Sequence, residues 1–530
     1  MEDITDLPLD FHPTRQLFSA LKARGIYYQD APNIPEWQRD MAIHQWKLQA
    51  TIEPEFVERL AVFAYDKAGE ENLSLPRIFS ALFWIIGGIF LFFTAKRLVS
   101  PDGALLTASV YLYLPYGVFA SRSFQPDPLM MMLIAAFIWA LAGWESQNPK
   151  AFNRAKVNTE FLPSNASSKK HLLKKLFETQ WTWAILAGLF GGFAILIKMT
   201  AVFFIAGTAI VTVLKAKSLK GALKDAQVWT IAILALLPTT LYFFYGIVLE
   251  GFLTQQFGGR FFPEMLIQPS FYLRWGIKLD AVIGYTLIAL SIVGTLLFPK
   301  KKNGILHGLW LGYIFYGLYF NYHFSTHDYY QIPFIIIAAL SIAPLGDILI
   351  NRLKEITTEE KNKKSFIQKN FVLLRVTSWI RKRVSSNFLP RLILLAAWTL
   401  ALLGAVWSVR SEMRAVDYRP LAESYREIGD MLRDEGSVVA LSKDYGYRLN
   451  YWGWLNTAHF PSAGDLWYQE KRGDPQSFAQ VFNKHTKNRA FFLVTNFEEW
   501  EKQVELREYL FANYPLYAEG ESYLIFNLGK

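Results

Sequence analysis

The chain alternates between apolar runs and polar segments over most of its length. Ten of these runs are predominantly apolar and roughly 17–24 residues long. An α-helix of that length spans a hydrocarbon core of about 30 Å. The pattern predicts a mainly α, polytopic transmembrane bundle of about ten spans, at residues 78–97, 103–120, 128–146, 181–197, 200–216, 227–249, 279–298, 304–322, 331–351 and 391–409.

The polar segments at either end of the bundle have patterns of their own. Within residues 1–75, Phe56, Leu60 and Phe63 are spaced along one helical face, which predicts amphipathic helices lying on a membrane surface. Residues 411–530 alternate predicted helices with predicted strands at 437–442, 490–495 and 523–527, which is typical of a small α/β domain. The sequence thus predicts three parts, 1–75, 76–410 and 411–530.

Basic clusters predict the orientation in the membrane. Lys and Arg concentrate in alternate loops, at residues 96–97, 169–175, 215–224, 300–302 and 354–391. Such loops stay on the cytoplasmic side. Residues 1–75 and 411–530 are therefore predicted to be extracytoplasmic, in the plasma (inner) membrane of a cell envelope.

Composition excludes several classes of protein and site. The net charge is +10, but the basic residues flank apolar runs, which favours a lipid bilayer over nucleic acid as partner. The absence of cysteine excludes disulfides, thiolate metal sites and cysteine nucleophiles. No phosphate-binding glycine-rich loop with Lys-Ser/Thr, Gly-x-Ser-x-Gly or His-Glu-x-x-His motif occurs, which disfavours a nucleotide-driven pump or a serine hydrolase.

The segment from Asp10 to Gln16 (DFHPTRQ) combines an acid, an imidazole and a guanidinium within seven residues. Asp10, His12 and Arg15 are candidates for acid–base chemistry and phosphate binding, and a solvated tail is the alternative. Glu53 follows in the same polar part of the chain. Asp10 and Glu53 could accept a proton or together hold a divalent metal ion, while Glu53 could instead simply begin a helix.

Four further candidates lie beside predicted spans. Arg122 can bind phosphate through its planar fork, and Asp127 either joins it or caps the following helix. Lys198 separates two apolar half-runs, where it either holds a phosphate or extends its amine to the membrane surface. A turn at Lys198 is predicted, because one helix over 181–216 would be too long for a single crossing.

His327 is the fourth of these candidates, and Tyr330 lies in the same polar segment before Pro333. Both are candidates to donate hydrogen bonds to phosphate or sugar. A metal pair of His323 and His327 is disfavoured, because Pro333 and the polar cluster indicate a loop rather than one continuous helix.

The order of these motifs resembles a known family. Asp10 to Gln16, Glu53 to Phe56 (EPEF), Pro126 to Pro128 (PDP), Lys198, and His327 to Tyr330 (HDYY) with Pro333 are similar to the dolichyl-phosphate-mannose protein mannosyltransferase-like proteins. These are integral-membrane GT-C glycosyltransferases and include bacterial aminoarabinose transferases. The resemblance covers about residues 8–345, and residues 451–454 (YWGW) and 523–528 resemble the external domain of bacterial members.

The resemblance implies a function and a set of roles. It implies inverting transfer of a sugar from a polyprenyl-phosphate-linked donor to a lipid, glycan or protein acceptor, with Asp10 as base and Glu53 as the second acidic position. Glu55 stands where the family has a second proline. The implied phosphate ligands are Arg15, Arg122 and Lys198, and the implied sugar or phosphate ligands are His12, Asp127, His327 and Tyr330.

Family members anchor the first outer loop by a preceding helix, which no run before residue 78 supplies. We therefore expect either direct translocation of a short tail or, preferably, an upstream start that encodes one more helix. Two other functions remain open: a transporter or flippase for lipid-linked sugar, and a non-catalytic relative. Inverted repeats would favour a transporter, and none is visible.

Overall fold

The computed structural model describes residues 3–147, 179–254, 260–351 and 388–529. The chain divides into two compact units. The first unit comprises Met1–Ser80, Arg122–Pro126 and Met413–Lys530, and the second comprises Ala81–Ser121 and Asp127–Glu412. The predicted terminal parts, 1–75 and 411–530, thus belong to one unit. The basic clusters at 169–175 and, for the most part, 354–391 lie outside the described residues, so the orientation stays a prediction.

The described part of the chain is mainly helical, as predicted. Five of its helices are long and apolar enough to cross a membrane, and two bent pairs raise this number to seven if each pair is one span. The protein is a multi-pass membrane protein, and the predicted count of ten spans stays a prediction. The five helices are Ser74–Leu98, Asp127–Ser146, Gln180–Ile197, Ala226–Leu249 and Phe334–Asn351.

The two bent pairs fall on predicted spans. Pro101–Tyr113 and Pro115–Ser121 meet at 64°, at a proline that cannot donate the helical hydrogen bond. Pro269–Ile283 and Tyr285–Leu297 meet at 94°, where Gly284 has φ +77°, a backbone conformation that favours glycine. The second break interrupts the stretch for which periodicity predicts a single span, because it depends on one residue's backbone rather than on hydropathy.

The other helices of the second unit include Ala201–Ala216, Leu219–Leu223, Gly304–Tyr319, Asn321–Thr326 and Phe388–Met413. Helices Gln180–Ile197 and Ala201–Ala216 confirm the predicted turn at Lys198, which has extended backbone angles. Ala201–Ala216 packs closely on Gly304–Tyr319 through glycines. A Cβ added at Gly308 would lie 2.4 Å from the Cα of Thr208, so the two backbones approach where no side chain fits.

The first unit contains a five-stranded mixed sheet of order β2-β1-β3-β5-β4. Strand β1 is parallel to β2 and β3, and β5 is antiparallel to β3 and β4. The three predicted strands are confirmed, whereas the short β2 and the exposed β4 were not predicted. The strands are β1 (Val438–Leu441), β2 (Ala458–His459), β3 (Phe491–Val494), β4 (Leu516–Gly520) and β5 (Tyr523–Asn527).

Helices cover both faces of this sheet. Val439 and Leu441 point into one apolar core, while Val438 and Ala440 point into the other, because successive side chains of a strand alternate. The helices of this unit are Pro13–Asp30, Glu36–Leu48, Phe56–Ala68, Arg419–Leu432, Tyr447–Trp452, Ala463–Lys471, Phe478–Thr486, Phe497–Lys502 and Val504–Asn513.

Polar contacts join the N-terminal helices to the sheet region. The buried amide of Gln45 donates to the carbonyls of Asn450 and Leu455, each at 2.8 Å. Arg24 Nε donates to both carboxylate oxygens of Glu71, at 3.1 and 3.0 Å. The ends of the chain therefore fold together, which positions the segment that contains Asp10.

Candidate functional site

Asp10 and Arg122 form an ion pair in the first unit. Arg122 Nη2 donates to the Asp10 carboxylate, and both side chains are nearly buried, with exposed fractions of 12% for Asp10 and 7% for Arg122. Arg122 Nη1 also donates to the backbone carbonyl of Asp3 at 3.2 Å. Burial lowers the pKa of Arg122, and the neighbouring carboxylates of Asp3 and Asp6 raise it. The structure thus brings together two residues that the sequence nominated separately.

The amide of Gln16 holds the two segments of this pair in place. Its Nε2 donates to the carbonyls of Phe11 at 2.6 Å and Pro8 at 3.3 Å, and its Oε1 accepts from the Phe124 N–H at 2.9 Å. One buried side chain therefore links the backbone around Asp10 to the backbone beside Arg122. Sequence analysis included Gln16 in the motif but did not identify this role, because the partners are distant along the chain.

Arg77 supports the same region from the start of a membrane helix. Its guanidinium is buried and donates to the carbonyls of Asp6 at 2.6 Å, Ile4 at 2.8 Å and Arg122 at 3.3 Å. A buried guanidinium is stable only when its donors find acceptors, so this packing orders residues 4–6. Sequence analysis missed Arg77, whose only signal is a cation at the edge of an apolar run.

His12, Arg15 and Glu53 lie in the same unit. Arg15 Nη2 lies 3.4 Å from Glu53 Oε1, and both side chains are about four-fifths buried. His12 precedes Pro13, the first residue of its helix, with φ +44°, and its ring contacts Phe11 edge-on at 4.4 Å. The second acidic position is therefore paired with an arginine of the motif.

A divalent metal ion does not fit Asp10 and Glu53 as they stand. Each carboxylate contacts an arginine, and a guanidinium competes with a cation for the same oxygens. Within the described residues there is no group of three or more His, Asp or Glu side chains that could hold a metal ion. No step below therefore involves a metal.

In the second unit, Lys198 and Asp127 form a buried ion pair. Lys198 Nζ lies 2.7 and 2.8 Å from the two carboxylate oxygens of Asp127, whose side chain is 4% exposed. Lys198 is placed at the break between two helices, and its Nζ also lies 5.8 Å from the centre of the Tyr329 ring. The carboxylate of Asp127 thus binds the lysine that the sequence placed between two half-runs.

His327 and Tyr330 belong to an aromatic cluster of the second unit. Tyr330 packs against Tyr316 and His323, with ring centroids 5.9 and 5.1 Å apart, and the His323 and His327 rings lie 5.9 Å apart. Thr326 Oγ1 lies 2.7 Å from Nδ1 of His327. Sequence analysis missed Tyr316, whose position in an apolar helix indicated only a membrane span.

The His323 imidazole is held in its neutral form. Burial, with help from the charges of His327 and Arg260, lowers the pKa of His323 from 6.5 to about 3. The unfolded chain therefore binds a proton before the folded protein does, and stability falls as pH falls from 6.5 towards 3. We expect His323→Phe to remove this loss, so that its Tm relative to the original chain rises between neutral pH and about pH 5.

Thermal unfolding of the detergent-solubilised protein at the two pH values measures this effect. His44→Phe, which replaces an exposed imidazole, is the matched control and should show no such trend. An unchanged Tm difference at both pH values for His323→Phe would contradict the prediction.

The described structure thus brings the nominated residues together in local groups. The first unit contains the pairs Asp10–Arg122 and Arg15–Glu53, with His12 beside them in the chain. The second unit contains the pair Asp127–Lys198 and the cluster around Tyr330.

Comparison with known proteins adds one family match. Residues 68–157 match the family model of dolichyl-phosphate-mannose-protein mannosyltransferase, which confirms the resemblance over that stretch. No curated protein sequence matches the chain significantly.

Several solved structures are also similar. ArnT from Cupriavidus metallidurans matches in the apo state (14% identity, 97% of this chain, 93% of that chain, TM-score 0.49) and bound to undecaprenyl phosphate (15%, 99%, 95%, 0.49). The archaeal oligosaccharyltransferase AglB from Archaeoglobus fulgidus, in complex with an inhibitory peptide and a dolichol-phosphate, matches at 12% identity over 90% of this chain and 65% of that chain, with a TM-score of 0.45. At such TM-scores these likenesses carry no argument about function.

Proposed function

We propose that this protein is a glycosyltransferase that moves a sugar from a polyprenyl-phosphate-linked donor to a lipid, glycan or protein acceptor on the extracytoplasmic side of the membrane. The observation that carries the proposal is the buried Asp10–Arg122 pair, a carboxylate oriented by a phosphate-binding type of cation. The family match over residues 68–157 and the multi-pass helices support the same class of enzyme.

The chemistry asks little of the protein beyond positioning and charge. The acceptor oxygen attacks the anomeric carbon, the bond from that carbon to the phosphate oxygen breaks, and polyprenyl phosphate leaves with the bonding electrons. The acceptor proton passes to Asp10, which acts as general base. Attack from the face opposite the leaving group inverts the anomeric configuration. Because phosphate is a good leaving group, orientation and stabilisation of the developing negative charge dominate the rate.

We assign the remaining residues of the first unit to supporting roles. Arg122 orients Asp10 and, with Arg15, offers guanidinium donors to phosphate, which they can bind with two parallel hydrogen bonds. Glu53 positions Arg15 through their ion pair. His12 precedes the same helix and is a further hydrogen-bond donor for sugar or phosphate.

In the second unit, we assign Lys198 to phosphate as a point charge, positioned by Asp127. A phosphate oxygen and the Asp127 carboxylate can share the three donors of one ammonium group. His327 and Tyr330 supply ring N–H and phenolic O–H donors for sugar or phosphate. Packing against Tyr316 and His323 restrains the ring of Tyr330.

The test is donor consumption by the purified full-length protein. Radiolabelled polyprenyl-phosphate hexoses and pentoses are incubated with the protein in the presence of an extract of cell-envelope glycans, lipids and proteins. We expect release of polyprenyl phosphate and transfer of label to an acceptor. Intact donor that merely crosses the bilayer of a reconstituted vesicle would identify a transporter, and absence of both events would identify a non-catalytic relative.

A further inference from the structure

The first unit contains a groove apart from all the residues assigned above. It lies between helices Ala463–Lys471 and Phe478–Thr486 on one side and the helices from Phe497 to Asn513 on the other. Its volume is about 590 Å³, within the range of roughly 300–1,000 Å³ that is common for small-molecule sites. The groove therefore has room for a ligand of several rings.

The floor of the groove is apolar and one wall exposes an indole. Phe460, Val481 and Leu506 form the floor and belong to one core of the sheet region. Trp467 is 43% exposed, and Lys471 Nζ lies 5.6 Å from the centre of its ring. An indole that faces an open groove offers a flat apolar surface, against which the C–H face of a sugar ring packs well.

Planar polar side chains line the adjacent rim. The amides of Gln469 and Gln476 both donate to Oδ2 of Asp474, at 2.9 and 3.2 Å. The turn that permits this contact ends the helix at Gly473, whose φ of +84° is in the region that favours glycine. Each amide keeps its carbonyl oxygen and a second N–H for a ligand, so the rim presents donors and acceptors side by side.

The opposite wall adds an acceptor. Gln503 Nε2 donates to the Pro461 carbonyl at 3.0 Å and to Glu499 Oε1 at 3.1 Å. Both amide hydrogens are therefore used, and the carbonyl oxygen of Gln503 remains an acceptor. Hydroxyl groups, which donate and accept at once, match such a mixture of groups better than a purely apolar ligand does.

The charge of the groove disfavours anionic ligands. Glu470, Asp474 and Glu505 line it, and Lys502 is the lysine among its lining residues. Lys502 Nζ lies 2.8 Å from Glu498, so its charge is already neutralised by a carboxylate. A phosphate or a sulfated sugar would meet net repulsion there.

We propose that this groove binds a short neutral oligosaccharide, with one ring packed on Trp467 and its hydroxyls bonded to the amides of Gln469 and Gln476. An indole wall, fixed amides and a net negative rim together fit a polyhydroxylated neutral ligand. The proposal does not depend on the transfer reaction, because none of its residues is assigned a part in donor chemistry.

Binding of the full-length, detergent-solubilised protein to an array of mono- to tetrasaccharides, neutral and anionic, tests the proposal. We expect binding to neutral oligosaccharides, weakened by about tenfold or more in Trp467→Ala and also weakened in Gln476→Ala. Trp229→Ala removes a tryptophan of the second unit that is 50% exposed and should bind like the original chain. Equal Tm values would confirm that the variants are folded.

Three results would overturn the proposal: no glycan bound, binding that Trp467→Ala and Gln476→Ala leave unchanged, or preference for anionic glycans. Binding of an apolar peptide panel that these variants abolish, without glycan binding, would assign the groove to a protein partner instead. A negative donor-consumption assay would not alter the expected glycan binding, so failure of one proposal is distinguishable from failure of the other.

Discussion

Asp10→Asn is expected to reduce sugar transfer by about 100-fold or more, the loss that follows removal of a general base. The amide has the size of the carboxylate and can still accept a hydrogen bond from Arg122, but it cannot take the acceptor proton. Polyprenyl phosphate binding should persist, because the cations stay in place. Label transfer and polyprenyl phosphate binding by the purified variant measure the two effects separately.

The control for this variant is Asp434→Asn, which removes an exposed carboxylate of the same unit. Its transfer rate should equal that of the original chain. Asp10 is buried and paired, so the Tm of Asp10→Asn must be measured as well. Near-normal transfer by folded Asp10→Asn would refute the assignment of Asp10 as base.

Lys198→Met is expected to destabilise the protein strongly, by about 3–5 kcal/mol, the usual cost of removing one partner from a buried ion pair. The change leaves the carboxylate of Asp127 buried without its cation, since the Asp127 side chain is only 4% exposed. The Tm of the detergent-solubilised variant should fall by many degrees. Lys224→Met, which removes an exposed lysine of the same unit, should leave the Tm nearly unchanged.

The double variant Lys198→Met/Asp127→Asn separates stability from function. It removes both charges, so we expect most of the lost stability to return. If Lys198 also holds the donor phosphate, transfer should remain low in the stable double variant. Normal transfer by that variant would limit Lys198 to a structural role, and a Tm close to normal for the single variant would contradict the buried pair itself.

The local features of the fold could be predicted from the sequence. The helix break at Lys198 and the strands β1, β3 and β5 appear where hydropathy and periodicity indicate them. These features depend on a few neighbouring residues, because helix length and strand alternation are set over short stretches of chain. The bend at Gly284 was missed, since a single backbone angle changes the direction of a helix without altering its hydropathy.

The candidate site was predicted as a set of residue types but not as a set of contacts. Asp10 and Arg122 are separated by 112 positions, and Lys198 and Asp127 by 71. Which cation meets which carboxylate depends on long-range packing. Gln16 and Arg77 illustrate the same limit: their side chains bond to backbone carbonyls, and a carbonyl has no residue type for a sequence pattern to detect.

The sequence by itself therefore determined the class of the protein, its membrane helices and the chemical groups available to it, because hydropathy and residue chemistry are properties of single positions and short windows. Only the tertiary structure decided the partners: Asp10 with Arg122, Lys198 with Asp127, and the ends of the chain with each other. The physical reason is that a buried charge must find its counter-charge wherever folding places it, however far apart the two stand in the chain.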